Sequence, residues 1–434
     1  MLFGLFFGAG NLIFPVHVGQ LAGGKAWITA AGFIVTGGGL PLLGVAAMGK
    51  SKSEGLLEMS GYVGKGWSVF FTCALYLTIG PFFAIPRCAT TAFTVGFEPL
   101  LDPAGSPWYL LIFSILFFGA VLYFSLKPGQ LLRWIGKIIN PLFLALLGLL
   151  LLTALIQPMG TISELSPEPA VGEHSFFYGF FEGYNTMDAL ASLAFGIVVI
   201  QAVRNLGVDE PQAIAGCTLK AGIFCCLAMG LIYALTTLMG AQSRGLFPTS
   251  ENGGIALAQI TEHYYGKIGQ ILLAIMVFLA CLKTAIGLVT SCAETFAILF
   301  PKLSYRKWAV LFSALPLIIS NVGLTALVTY SVPVLMFLYP LAITLILLCL
   351  FGRMFHYERR YFVYVTAFTA VAAFFDLLRT LPAELRSLLH VDGLVQVASS
   401  ILPLYSLGMG WVVPALAGFG VAFLSRKFSR DPVI

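Results

Sequence analysis

Charge is what this 434-residue sequence has least of: only 10% of its residues are Asp, Glu, Lys or Arg, against 59% hydrophobic. A soluble globular domain carries about 25% charged residues, so this chain has too few to keep its surface in water. The 24 basic and 19 acidic residues leave a formal charge of +5, too sparse and scattered for the one-faced basic footprint that nucleic acid requires. Metal and redox spacings are missing too. The eight cysteines (Cys73, Cys88, Cys217, Cys225, Cys226, Cys281, Cys292 and Cys349) sit in or beside apolar runs with no CxxC, and read as buried small hydrophobes. There is no H-E-x-x-H, and His17, His174, His263, His356 and His390 are dispersed. Met1 opens straight into an apolar stretch without a basic leader, so no signal peptide is expected.

What is present is apolar sequence in lengths that fit a bilayer, which needs about 20 residues per helix. Twelve segments qualify: Met1–Gln20, Ala26–Gly49, Gly66–Val95, Trp108–Leu126, Ile138–Gln157, Phe176–Val203, Ala221–Ser243, Ile268–Phe300, Ala309–Ser320, Leu324–Phe351, Tyr361–Leu378 and Ile401–Ser425. The expected class is therefore an all-α polytopic membrane protein. With the N-terminus placed in the cytoplasm, cytoplasmic loops hold 17 of the 24 Lys and Arg residues. The opposite side holds five (Lys25, Arg244, Lys267, Arg379 and Arg386), and Arg87 and Lys283 lie within spans. That bias follows the positive-inside rule and places both ends in the cytoplasm.

One motif misleads. Gly44–Ser51 satisfies G-x-x-x-x-G-K-S, the phosphate-cradling loop. It ends an apolar run of about 24 residues, whereas the phosphate loop needs a short buried strand before it and a helix after. No ATP hydrolysis, covalent chemistry or prosthetic group is expected, and the chain does not read as an enzyme.

Two spans carry residues that a lipid-facing helix avoids. The first reads Phe6-Phe7-Gly8-Ala9-Gly10-Asn11 and reaches Pro15; the sixth reads Phe180-Phe181-Glu182-Gly183-Tyr184-Asn185-Thr186-Met187-Asp188. Both contain F-F-x-small-x-N at an offset of 174 residues, and each opens a block of five spans. Gly-interrupted segments at corresponding places in two halves point to the binding site of an inverted-repeat transporter. Broken backbone at mid-membrane frees N–H and C=O groups that must find a polar partner. Half-helix N-termini suit a carboxylate, while carbonyls and half-helix C-termini suit a small cation. An amino acid and a coupling ion fit both. Glycines serving close helix packing are the plainer alternative.

Five ionisable residues lie inside spans: Arg87, Glu182, Asp188, Lys283 and Glu294. Each is costly unless paired or wetted. Glu182 and Asp188 flank the sixth-span break and could cap freed N–H groups or meet substrate. Arg87 snorkels or pairs with an acidic residue, and Glu294 lies near its span's end. Lys283 is too deep to snorkel; it could replace a bound cation, titrate on a proton route, or simply be held by backbone carbonyls.

Phe6–Pro15, together with Gly80-Pro81-Phe82-Phe83-Ala84-Ile85-Pro86-Arg87 and Glu182–Ala189, resembles the bacterial branched-chain amino acid:cation symporter family, the system II carriers for leucine, isoleucine and valine. The resemblance covers essentially the whole chain. It implies a five-plus-five inverted repeat of the amino acid–polyamine–organocation type with helices 1 and 6 broken, and sodium-driven import across the bacterial cytoplasmic membrane. The expected parts are 1–160 (spans 1–5), 161–352 (spans 6–10) and 353–434 (spans 11–12 and a short cytoplasmic tail).

Gly8–Asn11 is also similar to the G-x-G-N of neurotransmitter:sodium symporters. That resemblance implies a substrate carboxylate at the N–H groups of Ala9 and Gly10, within a substrate set of Gly8, Ala9, Gly10, Asn11, Tyr76, Glu182, Gly183, Tyr184, Asn185 and Thr186. It implies one Na+ near Asn11 and a second on carbonyls of Gly4, Phe7 and Ala280 with the Thr284 hydroxyl. Lys283 stands where that second site wants another hydroxyl, so either the lysine points away or coupling runs to protons or to one sodium. Lys283 and Asp188 are the coupling candidates, and a proton-coupled permease or exchanger for another small amino acid is the alternative. Phe6, Tyr76 and Tyr184 are expected in the side-chain pocket. The seven residues before Gly8 rise only about 10 Å, short of the roughly 15 Å half-bilayer, so the native chain is expected to begin upstream of Met1 or the numbering to start at an internal Met.

Overall fold

The computed structural model describes residues 1–101, 106–130, 132–163, 165–208 and 210–428, and among these there is no strand. The first expected span is two helices, α1 (Leu2–Phe6) and α2 (Ala9–Ala22). Gly23, at φ +50°, turns the chain into α3 (Ala26–Ile34). A π-helical turn at Val35–Gly39 leads on to α4 (Leu40–Ser51). The phosphate-loop lookalike therefore lies within a helix, as its context demanded. After α5 (Leu56–Gly61), the third span is α6 (Lys65–Leu77) and α7 (Ala84–Thr91). α8 (Ser106–Ser125) and α9 (Asn140–Ile156) complete the first five spans.

The sixth is split into α10 (Ser175–Glu182), α11 (Asp188–Ala194) and α12 (Gly196–Arg204). Then come α13 (Pro211–Ser243), α14 (Gly253–Leu299), α15 (Tyr305–Ser320) and α16 (Leu324–Phe351). α17 (Arg359–Thr380), α18 (Ala383–Leu389), α19 (Asp392–Ile401) and α20 (Val412–Phe428) follow. Eight stretches among the described residues are long and apolar enough to cross a membrane, and the first, Ala9–Ser51, runs through expected spans one and two. The sixth expected span is broken, and the ninth and twelfth are helices of 16 and 17 residues. The basic residue Arg430 of the charge tally lies outside the described residues.

Three boundaries depart from expectation. The third span is not continuous: Gly80 (φ −86°, ψ −117°) leaves helical geometry beside Pro81, which has no N–H to extend a helix. The eighth span extends back to Gly253, with a kink where Gly266 takes φ +57°, a conformation that favours glycine. The twelfth does not start at Ile401. Pro403 holds Leu402 extended (φ −86°, ψ 114°) and ends α19 there. Leu404 and Gly408 then take positive φ, so the last helix begins only at Val412.

Two glycine crossings hold the centre of the bundle. α2 crosses α13, where a methyl group on Gly19 would lie 2.0 Å from the Thr237 carbonyl oxygen and one on Gly240 2.0 Å from that of Val16. α3 crosses α10 in the same manner: a methyl on Gly32 would meet the Phe176 carbonyl at 2.0 Å, and one on Gly179 the Thr29 carbonyl at 1.9 Å. Exchanging spans one and two for six and seven turns the first crossing into the second, as an inverted repeat requires. Backbones this close gain dispersion contacts that larger residues would forbid.

Candidate functional site

Both helix breaks meet at one point. At the first, Phe7 (φ −72°, ψ 87°) leaves the helix, and Gly8 (φ −102°, ψ −161°) is extended and N-caps α2. Gly8 packs tightly against α14, since a methyl there would lie 3.0 Å from Thr284 Oγ1 and force that side chain to shift. The Gly8 N–H donates to Asn11 Oδ1 at 2.8 Å, leaving the first N–H groups of α2, on Ala9 and Gly10, at the break. At the second, Met187 takes φ +62°, uncommon for a non-glycine residue, and turns the chain so that α11 starts on Asp188. Asn11 Nδ2 donates both to Asp188 Oδ2 and, at 2.5 Å, to Tyr233 Oη; Tyr233 Oη in turn donates to Asp188 Oδ2 at 3.2 Å. Asn11, Asp188 and Tyr233 are each at most 2% exposed. One side chain thus ties the two breaks to each other and to α13.

Between the breaks is a small cavity of about 30 Å³ among buried residues. Its lining combines polar groups, from Gly8, Ala9, Gly10, Asn11, Thr186, Asp188, Thr284 and Arg87, with the apolar side chains of Phe6, Ile79, Ala84, Cys88, Ala191, Phe195 and Leu288. A lining of both kinds suits a molecule with a charged head and an aliphatic tail. Phe195, at the α11–α12 junction, also lines a larger cavity of about 260 Å³ that reaches Lys52, Glu54 and Arg204. A third, of about 200 Å³, lies at the same basic end between Arg133, Lys137, Gln201, Asn205 and Glu294.

Other expected site residues lie elsewhere. Tyr76 is buried with its hydroxyl donating to the Ala194 carbonyl at 2.9 Å, outside the cavity wall. Tyr184 stacks on Tyr339 with ring centroids 3.9 Å apart, and Glu182 accepts from Asn185 at 3.2 Å; these residues and Gly183 belong to the broken segment but do not line the cavity. Of the second cation set, Thr284 reaches the cavity and its Oγ1 donates to the Leu5 carbonyl at 3.2 Å. Gly4 packs against Asn140 and Ile135, Phe7 stacks with Phe3 and Tyr233, and Ala280 is buried outside the wall. Lys283 points away from the cavity: Nζ donates to Asn140 Oδ1 at 3.1 Å and sits 3.8 Å from the Phe143 ring centroid.

Sequence reasoning assigned no role to Tyr233, which carries no local motif, and it placed Arg87 as snorkelling or ion-paired. Arg87 is 5% exposed, faces the cavity and has no carboxylate within ion-pair distance among the described residues. The signal was there: a charge six residues after a Pro-broken stretch in mid-span.

The family model for branched-chain amino acid transport proteins matches residues 1–429. The chain belongs to that family. It is 48% identical over 433 residues to the branched-chain amino acid permease BrnQ of Lactobacillus delbrueckii subsp. lactis, covering 99% of this chain and 96% of the relative. It is 40% identical to the permease BrnQ of Bacillus subtilis, covering 96% and 93%. Among solved structures it is similar to MhsT in complex with L-phenylalanine (TM-score 0.55, 15% identity, covering 98% and 96%). It is also similar to Mhp1, a nucleobase-cation-symport-1 family transporter in a closed conformation with bromovinylhydantoin bound (TM-score 0.59, 16% identity, covering 98% and 91%). These two show a shared fold, the inverted-repeat architecture with broken first and sixth spans. The chain is a multi-pass membrane transport protein of a family of permeases, not an enzyme.

Proposed function

We propose that this chain is a secondary symporter that imports leucine, isoleucine and valine with a cation, Na+, by alternating access across the bacterial cell membrane, both termini being cytoplasmic. The names of its relatives support the substrate class. The observation that carries the reading is the junction of the two breaks, where Asn11 bonds Asp188 beside a cavity lined by both polar and apolar groups. The α2 N-terminus at Ala9 and Gly10 receives the substrate carboxylate. Na+ sits beside Asn11 and the Asp188 carboxylate, with Gly4, Phe7, Ala280 and Thr284 as candidates for a second ion. Glu182 to Thr186 supply the turn of the second break.

The cavity of about 30 Å³ holds no more than a water or two. Substrate entry therefore requires the half-helices to part, and alternating access supplies that movement.

A proton-coupled reading rests on Asp188, a buried carboxylate with no basic side chain within ion-pair distance among the described residues, which can hold a proton in place of Na+. Uptake of radiolabelled leucine into proteoliposomes under an imposed Na+ gradient, and separately under a proton gradient, decides between them. Na+-driven accumulation is expected; accumulation driven only by protons would transfer the coupling role to Asp188. Asn11→Ala, with normal membrane insertion, is expected to cut Na+-driven uptake about tenfold or more, since hydrogen bonds to a charged group are lost. Normal uptake by that variant would remove Asn11 from the site.

A further inference from the structure

We infer that Arg87 is a substrate-contacting residue of this site, binding the carboxylate of the transported amino acid and setting selectivity against ligands that lack it. The inference rests on the transport reading above and adds to it the group that neutralises the substrate's negative end.

The placement begins with the backbone. The third span is broken at Thr78–Phe83, where Gly80 is non-helical and Phe83 (φ −131°, ψ −60°) caps a new helix. A methyl on Gly80 would meet Cys292 Sγ at 2.9 Å, so the break is seated tightly against α14. α7 thus begins at Ala84, and Pro86 falls in its first turn, where no intrahelical N–H bond is forfeited. Arg87 follows, its N–H donating to the Phe83 carbonyl at 3.0 Å, and its side chain turns inward to the cavity rather than out to an interface. A continuous third helix would hold it at another angle.

Its surroundings are unusual for a buried arginine. The guanidinium lies 5.4 Å from the Phe14 ring centroid, and its Nη2 would be 3.4 Å from a methyl on Gly10, so it packs on the first turn of α2. Nη1 is buried with no hydrogen-bond partner among the described residues. Buried polar groups are nearly always satisfied, and an unpartnered charged donor costs more than a neutral one. Asp188 lines the same cavity but forms no ion pair with Arg87.

The cavity therefore has a positive pole, made by Arg87 and the N-terminus of α2 together, and a separate negative pole at Asp188. A zwitterionic α-amino acid has both complements. Its carboxylate accepts from the planar guanidinium fork and from the Ala9 and Gly10 N–H groups, and Ile79, Ala84, Cys88 and Leu288 face its aliphatic end. A methyl on Gly10 would lie 2.9 Å from the Phe14 ring on which the guanidinium packs, so glycine there keeps that ring seated against the helix end.

The test compares leucine with leucinol, which replaces the carboxylate by a primary alcohol, as competitors of radiolabelled leucine binding to the full chain in proteoliposomes. Wild type is expected to prefer leucine by about 100-fold or more. Arg87→Gln is expected to weaken leucine by roughly 10- to 100-fold and to change leucinol by less than about threefold, so the preference collapses. Arg87→Lys keeps the charge but not the bidentate fork and is expected to fall between. A purely structural arginine would weaken both ligands together. An unchanged leucine-to-leucinol ratio in correctly inserted Arg87→Gln overturns the assignment; if that variant fails to insert, an unchanged ratio in Arg87→Lys does so. Wild type that takes up leucine but binds leucinol equally well overturns the carboxylate role while leaving transport intact. Wild type that neither binds nor transports leucine, isoleucine or valine overturns the transport reading, and the Arg87 assignment with it.

Discussion

Lys283 shows how an ammonium can lie at mid-membrane without facing a pathway. It is fully buried, its Nζ donates to Asn140 Oδ1 at 3.1 Å, and the rings of Phe143, Phe3 and Phe7 have centroids 3.8, 5.4 and 5.7 Å away. Three aromatic faces and one amide oxygen replace hydration, each by an interaction that strengthens when water is excluded. The arrangement links α14 to α9 and α1. Asn140→Leu, which removes the one oxygen partner of Lys283 among the described residues, is expected to destabilise the solubilised protein by about 3–5 kcal/mol. Lys283→Met, which removes the charge itself, is expected to cost distinctly less, and a thermal-unfolding comparison of the two checks the order. Lys283→Ser is expected to leave the ion dependence of uptake unchanged; altered dependence would restore the lysine to the coupling machinery. The sequence made the depth of Lys283 plain, because about 15 uncharged residues precede it. Its direction was not legible, since its partner lies 143 residues away. Asn11 was legible because its glycine-flanked motif is local. For Arg87 the sequence signalled the charge, six residues after Pro81, but not its aim, which the non-helical Gly80 and the new helix start at Ala84 set.

Among the helices, the two glycine crossings impose the strictest geometry. At Gly179 an added methyl has only 1.9 Å to the Thr29 carbonyl oxygen, and backbone on both sides leaves no flexible side chain to yield. Gly179→Ala is expected to lower stability by about 1–3 kcal/mol, the usual range for overpacking. Gly119, in α8, faces open space, so Gly119→Ala is expected to be neutral or to stabilise by up to about 1 kcal/mol through helix propensity. Melting temperatures of both variants in detergent check the contrast. Glycine in an apolar span reads equally well as break or as close packing, and only the partner helix distinguishes Gly8 from Gly179. The breaks of spans one and six were readable because polar residues accompany their glycines. The one at Gly80 has no polar side chain beside its glycine and proline, the kink at Gly266 falls before the expected span in a charged stretch that reads as loop, and an apolar run through Ile401 concealed the helix end that Pro403 enforces.

For the whole molecule, the basic residues choose an orientation that helix packing alone leaves open. Lys302 lies in the turn between α14 and α15, and Lys267 just beyond the Gly266 kink; both are exposed. With the exposed Cys217 replaced, a cysteine at position 302 is expected to react with a membrane-impermeant maleimide only from the cytoplasmic side, and one at 267 only from outside. The reverse pattern would invert the topology and, with it, the direction in which each cavity opens. The outermost helices complete the body: α17 packs against both α16 and α20, and its Tyr361 and Phe362 join the continuous core. Loop charge could be tallied from sequence, whereas which helices surround the site could not.

Phe195 belongs to the lining of both the small cavity and the larger one at the basic end, with its ring 5.8 Å from that of Phe6. The two chambers thus have a party wall in which this ring takes part. Phe195→Ala would remove the ring from both linings at once while leaving the glycine-locked helix pairs at Gly19, Gly32, Gly179 and Gly240 untouched.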